Sequence, residues 1–179
     1  MDPAPRVTRR YRPGTLILET EFVTADGAVT VIDFMPLRGT CSDLVRTVVG
    51  RRGRVAMRTE VIFRFDYGAT VPWVTSTSET CINVVAGPDR VVFTGEVPLR
   101  GEGLSTVGEF SVGAGESVSF VMTYAPSHKP APRAVDHRLD FGEARGERFF
   151  SHDVRPPPPA QPLPWNLNRS VAAVGLRSG

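Results

Sequence analysis

Between Val55 and Asp66 the chain changes character at every second residue. Val55, Met57, Val61, Phe63 and Phe65 fall on one side of an extended backbone, and Arg58, Glu60, Arg64 and Asp66 on the other. A period of two sorts these residues into one buried and one wet face, which a helix would not do. Ile62 interrupts the polar side, as a single exposed apolar residue often does. The pattern returns where Val118, Phe120, Met122 and Tyr124 alternate with Ser117, Ser119, Val121 and Thr123.

Turn residues separate runs of this kind along most of the chain. In residues 15–24, Leu16, Leu18, Thr20 and Phe22 share one face, with Ile17, Glu19, Glu21 and Val23 on the other. Ala25-Asp26-Gly27 then turns, and residues 29–35 run back as a partner strand until Pro36 stops it. Residues 43–49 are β-branched and apolar, and Gly50-Arg51-Arg52-Gly53 reads as a solvated hairpin turn into the strand from Val55. Residues 80–85 and 90–94 flank Gly87-Pro88-Asp89, with Pro88 where a type I turn favours it. Residues 105–112 and 117–124 flank Gly113-Ala114-Gly115 and read as a further hairpin. About eight strands at this spacing predict an all-β fold, an antiparallel β-sandwich over residues 6–127. No segment between residues 6 and 125 has a helical period with caps.

Composition narrows the partners. The 179 residues are 41% hydrophobic and 22% charged, with 17 glycines and 16 prolines, a balance that suits a globular core with many turns. The formal net charge is +2 and acids and bases are interspersed, so neither a basic face nor a nucleic-acid partner is expected. No run approaches the roughly eighteen apolar residues of a membrane span. The opening Met1-Asp2-Pro3-Ala4-Pro5-Arg6 lacks an apolar signal core, so a cytoplasmic protein is expected, with Cys41 and Cys81 reduced.

Residues 128–179 read as a linker and a proline-rich, poorly ordered tail. All three histidines (His128, His137 and His152) and half of the prolines lie there. Residues 140–150 have the makings of a short helix weakened by Gly142 and Gly146, and Pro156-Pro157-Pro158-Pro159 with Pro162 and Pro164 favour polyproline II. The proline tract reads as a linker more readily than as a PxxP ligand.

Chemistry is harder to find. The strands hold no Gly-x-Ser-x-Gly, His-Glu-x-x-His or phosphate-cradling glycine loop. The histidine spacing is not a metal-ligand pattern, and two cysteines without CxxC spacing do not make one, so no metal and no cofactor are expected. Glu19, Glu21, Asp33 and Glu60 sit at alternating strand positions and read as a solvated sheet face, leaving no catalytic residue to assign. The exception to this blandness is Arg64-Phe65-Asp66-Tyr67-Gly68-Ala69-Thr70-Val71-Pro72-Trp73-Val74. Phe65, Asp66, Tyr67, Pro72 and Trp73 cluster on what reads as a loop at a strand end. Such a group serves as a bend packed on its own sandwich, as a docking edge for another domain, or as a sugar platform, because aromatic residues are enriched in interface cores and ring faces stack on sugar C–H patches.

Several blocks in order resemble a known family: Arg10-Tyr11-Arg12-Pro13-Gly14-Thr15-Leu16-Ile17-Leu18-Glu19-Thr20-Glu21-Phe22, Ala25-Asp26-Gly27, Val31-Ile32-Asp33-Phe34-Met35-Pro36, Leu44-Val45-Arg46, Gly53-Arg54-Val55, Arg64-Phe65-Asp66-Tyr67-Gly68 with Val71-Pro72-Trp73, Ala86-Gly87-Pro88-Asp89 and Ala125-Pro126-Ser127-His128. Over about residues 9–130 the chain resembles the N-terminal, trehalase-like β-sandwich of bacterial glycoside hydrolase family 15, the glucoamylase and trehalase-like enzymes of carbohydrate metabolism.

The resemblance implies a sandwich packed against an (α/α) barrel, in cis or from a neighbouring reading frame. The barrel carries the two glutamates of an inverting mechanism on α-glucosides such as trehalose or maltooligosaccharides. The family's linker helix is hinted at by Glu147-Arg148-Phe149-Phe150, but proline-rich sequence follows where the barrel would begin. A truncated, frameshifted or split gene would give this pattern. The chain is then expected to be non-catalytic alone, with Phe65, Asp66, Tyr67, Pro72 and Trp73 on an edge facing the barrel or its substrate entrance. A free-standing carbohydrate-binding or protein-interaction module is the alternative.

Overall fold

The computed structural model describes residues 6–36 and 41–132, together with the backbone of residues 170–178. Among the described residues eleven antiparallel strands carry the fold: β1 (Arg6–Tyr11), β2 (Leu18–Val23), β3 (Gly27–Phe34), β4 (Ser42–Phe65), β5 (Trp73–Ser78), β6 (Cys81–Ala86), β7 (Asp89–Gly95), β8 (Arg100–Glu102), β9 (Ser105–Gly113), β10 (Ser117–Pro126) and β11 (Ser170–Ser178). Among the described residues the sole helical element is a three-residue turn at Asp66–Gly68, and no helix is long and apolar enough to cross a membrane.

The larger layer has the order β1-β2-β3-β4-β10-β7-β6-β5, and the smaller one is built of β11, β4, β9 and β8. Strand β4 belongs to both. Its first half pairs with β3 and β10, and its second half with β9 and β11. The core fills the space between the layers. Val29, Val31, Val48, Val84, Phe93 and Phe120 come from the larger sheet, and Val55, Met57, Val61, Phe63 and Val112 from the smaller. The alternation read from Val55 to Phe65 is the inward face of that second half. Phe120 stacks on Phe93 at 6.0 Å and tilts against Phe110 at 5.6 Å, so one ring ties the two layers together.

The hairpins expected at residues 15–35 and 80–94 form, as β2–β3 and β6–β7. Pro88, however, is not at the first central position of a type I turn. Ala86 pairs with Asp89, and Gly87 takes the first central position with φ +57, the handedness that primed hairpin turns require.

Two other expected hairpins are absent, for one shared reason. Gly50-Arg51-Arg52-Gly53 does not reverse the chain; it is the bend at which the 24-residue β4 passes from one layer to the other. Gly113-Ala114-Gly115 carries the chain across the same corner, because β9 pairs with the second half of β4 and β10 with the first. A Cβ on Gly50 would lie 1.9 Å from the Gly113 carbonyl oxygen, and one on Gly53, at φ +64, 1.9 Å from that of Asp26. The glycines permit backbones to touch where three strands bend together, and such bends are how strands change sheets at a sandwich corner. Arg51, Arg52 and Arg54 are exposed, as expected, but they lie on the strand.

The carboxylates read as a solvated face divide. Glu21 is exposed, whereas Glu19 is buried against Arg10 and Arg12, with N–O contacts of 3.0 and 2.8 Å. Asp33 takes two bonds from Arg46 on the neighbouring strand. At the far end of β10 the Tyr124 hydroxyl donates to Asp89 at 2.7 Å. Burial, and then that carboxylate, push its pKa up to about 12.

Of the segment expected to be linker and tail, residues 133–169 lie outside the described residues, and with them the short helix, His137, His152 and the proline tract. Residues 170–178 form β11, which pairs with β4 from Met57 to Phe65.

Candidate functional site

Where β4 ends, Phe65 and Thr70 exchange two backbone hydrogen bonds of 3.0 Å each, and Ala69 N–H donates to the Asp66 carbonyl at 3.1 Å. Closing so small a loop forces left-handed backbone at three successive residues, with φ of 52 at Asp66, 57 at Tyr67 and 95 at Gly68. Glycine adopts this freely and aspartate tolerates it, but for tyrosine it costs about 1 kcal/mol. The turn projects Tyr67, which is 74% exposed.

Val71 and Pro72 then lead into β5. Proline disfavours helical backbone in the residue before it, so Val71 runs extended into the edge strand. Trp73 opens that strand and is 84% exposed; Val71 and Val74 beside it are about half exposed. The aromatic group is therefore not confined to a loop: Trp73 sits on a strand, in register with Val85.

The structure divides the five residues of the expected edge. Phe65 is 2% exposed and belongs to the core, so it is unavailable to a partner. Its place in the alternation from Val55 already pointed inward. Asp66, Tyr67 and Trp73 are exposed and Pro72 half-buried.

Beside Trp73 lies a cleft of about 380 Å³ between the edge strand β5 and the β8–β9 hairpin. Val61, Phe63 and Ile82 reach its floor, Pro72, Trp73 and Val74 form one wall, and Leu104 and Thr106 belong to the other. Leu104 is itself 66% exposed, at the tip of the hairpin. The sequence carried no signal for it, because a lone leucine in Gly103-Leu104-Ser105 has no periodicity to place it.

Charge enters the cleft through two arginines. Arg100 bonds Glu102 and Glu109, which Arg58 also binds, so these four side chains form a closed network on the strands β4, β8 and β9. Arg58 first and Arg100 second hold Glu102 below the usual carboxylate range; for Glu109 the order is reversed. Arg64 donates from Nη1 to the Phe63 carbonyl at 2.7 Å and, among the described residues, meets no carboxylate. The arrangement is suited to gripping an apolar surface with polar anchors at its rim.

Compared with known proteins, the chain matches no family model and no curated protein.

Proposed function

We propose that this chain is a non-catalytic β-sandwich domain of a family 15 glycoside hydrolase-like protein acting on α-glucosides. In this reading the surface built by Tyr67, Pro72 and Trp73 docks against an (α/α) barrel supplied in cis or by a neighbouring reading frame. The observation that carries the docking role is the exposure of Trp73 beside an apolar cleft. A tryptophan left 84% exposed makes, with Val71, Val74 and Leu104, an apolar patch poorly suited to bare solvent, and tryptophan is among the residues that most often anchor an interface. The family assignment rests on the ordered blocks of sequence from Arg10 to His128. The non-catalytic role is supported by the carboxylates Glu19, Asp33, Glu102, Glu109 and Glu116, each committed to arginine and so placed for structure rather than for acid–base work.

The test is glucose release from trehalose and maltooligosaccharides, with binding to a family 15 barrel protein measured alongside. The chain alone is expected to release no glucose. It is expected to bind the barrel, and Trp73→Ala should weaken that binding at least about tenfold with the circular dichroism unchanged. Tryptophan fluorescence that responds to the sugar without any barrel, and ceases to respond in Trp73→Ala, would instead make the protein a carbohydrate-binding module. Glucose release abolished by one carboxylate substitution would make it an enzyme.

A further inference from the structure

The cleft lies on the side where the sandwich is left open. The larger sheet ends at β5, the smaller ends at the β8–β9 hairpin, and the gap between them reaches down to Phe63 and Ile82. Among the described residues no strand pairs with the outer side of β5. Its sequence, Trp73-Val74-Thr75-Ser76-Thr77-Ser78, is uncharged and exposed throughout. The opposite edge is guarded: β1 carries Arg6, Arg9 and Arg10, and charge on an edge strand is a common device against further pairing. On β5 a register shift between Ser76 and Ser78 disturbs the distal end and leaves residues 73–76 regular.

We infer that this open side accepts an extended segment of a partner protein, which adds to β5 along residues 73–76, sets an apolar side chain into the cleft and places a carboxylate on Arg64. Strand addition of this kind takes its affinity from main-chain hydrogen bonds and its selectivity from the pockets that receive alternate side chains. The free edge and the cleft supply those two parts side by side. Arg64 supplies the charge requirement: it is half-buried, it lines the cleft, and the Phe63 carbonyl, its one hydrogen-bond partner among the described residues, does not balance a guanidinium. Arg100, across the opening, is already neutralised by Glu102 and Glu109. A second copy of this chain is the poorer occupant, because β5 has no aspartate or glutamate to bring to Arg64. The inference rests on the cleft being a docking surface, and it holds whether or not the partner is a barrel.

The probe is a phage-displayed library of short random peptides panned against the full chain, followed by synthesis of the enriched sequence. Enriched peptides are expected to alternate apolar residues and to keep an aspartate or glutamate at one position. Their binding should fall at least about tenfold in Arg64→Glu and persist in Arg64→Lys. Methylating successive peptide amide nitrogens should abolish binding at every second position only, a periodicity that side-chain docking alone would not produce. Three results would overturn the inference: no enrichment, insensitivity to Arg64→Glu, or methylation effects without alternation. A β5-to-β5 dimer in sedimentation that peptide does not dissociate would also overturn it, by assigning the edge to a second copy. None of these readouts requires the barrel, so strand addition can fail while the barrel complex and its Trp73 dependence stand.

Discussion

Arg46 grips Asp33 with both arms across neighbouring strands, Nε to Oδ1 at 2.6 Å and Nη2 to Oδ2 at 2.8 Å, on the inward face of the larger sheet. Each side chain is about one-fifth exposed, and both line a cavity of about 270 Å³ whose other walls include Phe93, Phe120 and Met122. The pair carries charge to the margin of an apolar core, where losing one partner strands the other. Arg46→Met is expected to destabilise the fold by about 2 kcal/mol, less than for a fully buried pair because water still reaches it. Combining Asp33→Val with Arg46→Met should restore most of that loss. Denaturant unfolding of the two singles and the double checks both statements.

Acid should weaken the fold. Burial pushes Glu19 up, but bonds from Arg12 and Arg10 outweigh it and leave its pKa lowered; Arg54 acts in the same direction on Glu116, as Arg58 and Arg100 do on Glu102 and Glu109. The unfolded chain titrates these groups near the ordinary value of 4.5 and therefore binds more protons than the native state in the window below it. Their contribution is complete above that value and is lost as the pH falls through the lowered native values. Denaturation midpoints followed from about pH 6 to about pH 3 should decline, and Glu19→Gln should flatten part of the slope.

The corner where the strands change layers has no room for a side chain. Gly50→Ala would set a methyl group 1.9 Å from the Gly113 carbonyl oxygen, a clash with backbone that no rotamer relieves. A loss of about 3 kcal/mol or more is expected, together with a poorly cooperative transition. Thermal unfolding measured by circular dichroism reads it. Arg52→Ala, exposed on the same bend, is the control and should change stability by less than about 0.5 kcal/mol.

At Tyr67 stability and docking are expected to part company. Tyr67→Gly removes a bulky residue from left-handed backbone and should raise stability by about 1 kcal/mol. The same change removes an exposed aromatic ring from the proposed docking surface and, if that proposal holds, weakens partner binding. A variant that is both more stable and worse at binding would identify the strain as serving the site.

The parts of this fold legible in the sequence are those whose causes are local. β2–β3 and β6–β7 are written in alternation plus a turn within a few residues, and the buried set from Val55 to Phe65 follows from a period of two. The role of Gly50 and Gly53 is not legible in sequence because a Gly-x-x-Gly segment looks the same whether it reverses a chain or lets it bend against distant backbone. What distinguishes the cases is the carbonyls of Asp26 and Gly113, one of them more than sixty residues away in sequence. Glu19 and Asp33 look like members of a solvated face because nothing adjacent in sequence announces that Arg12 and Arg46 will meet them. In the site, Trp73 and Tyr67 stood out by composition. Leu104 and Arg64 acquire a role only when the fold sets the β8–β9 hairpin, with Leu104 at its tip, across the cleft from β5, and β5 itself is not legible because Thr75-Ser76-Thr77-Ser78 shows no alternation of apolar and polar residues.

A strand held in common by two layers also constrains how the molecule comes apart. Neither sheet can shed β4 without removing the centre of the other, so separate melting of the layers is not an available route. Opening large enough to free the amides of the paired halves of β4, on either side of its exposed bend, must be opening of the whole sandwich. Those amides are therefore expected to exchange with solvent only through global unfolding, while β1 and β5, each paired on one side among the described residues, are expected to exchange through smaller local excursions. Folding meets the same constraint in reverse, because β4 cannot be completed until β3, β9 and β10 have arrived from both sides of it in sequence.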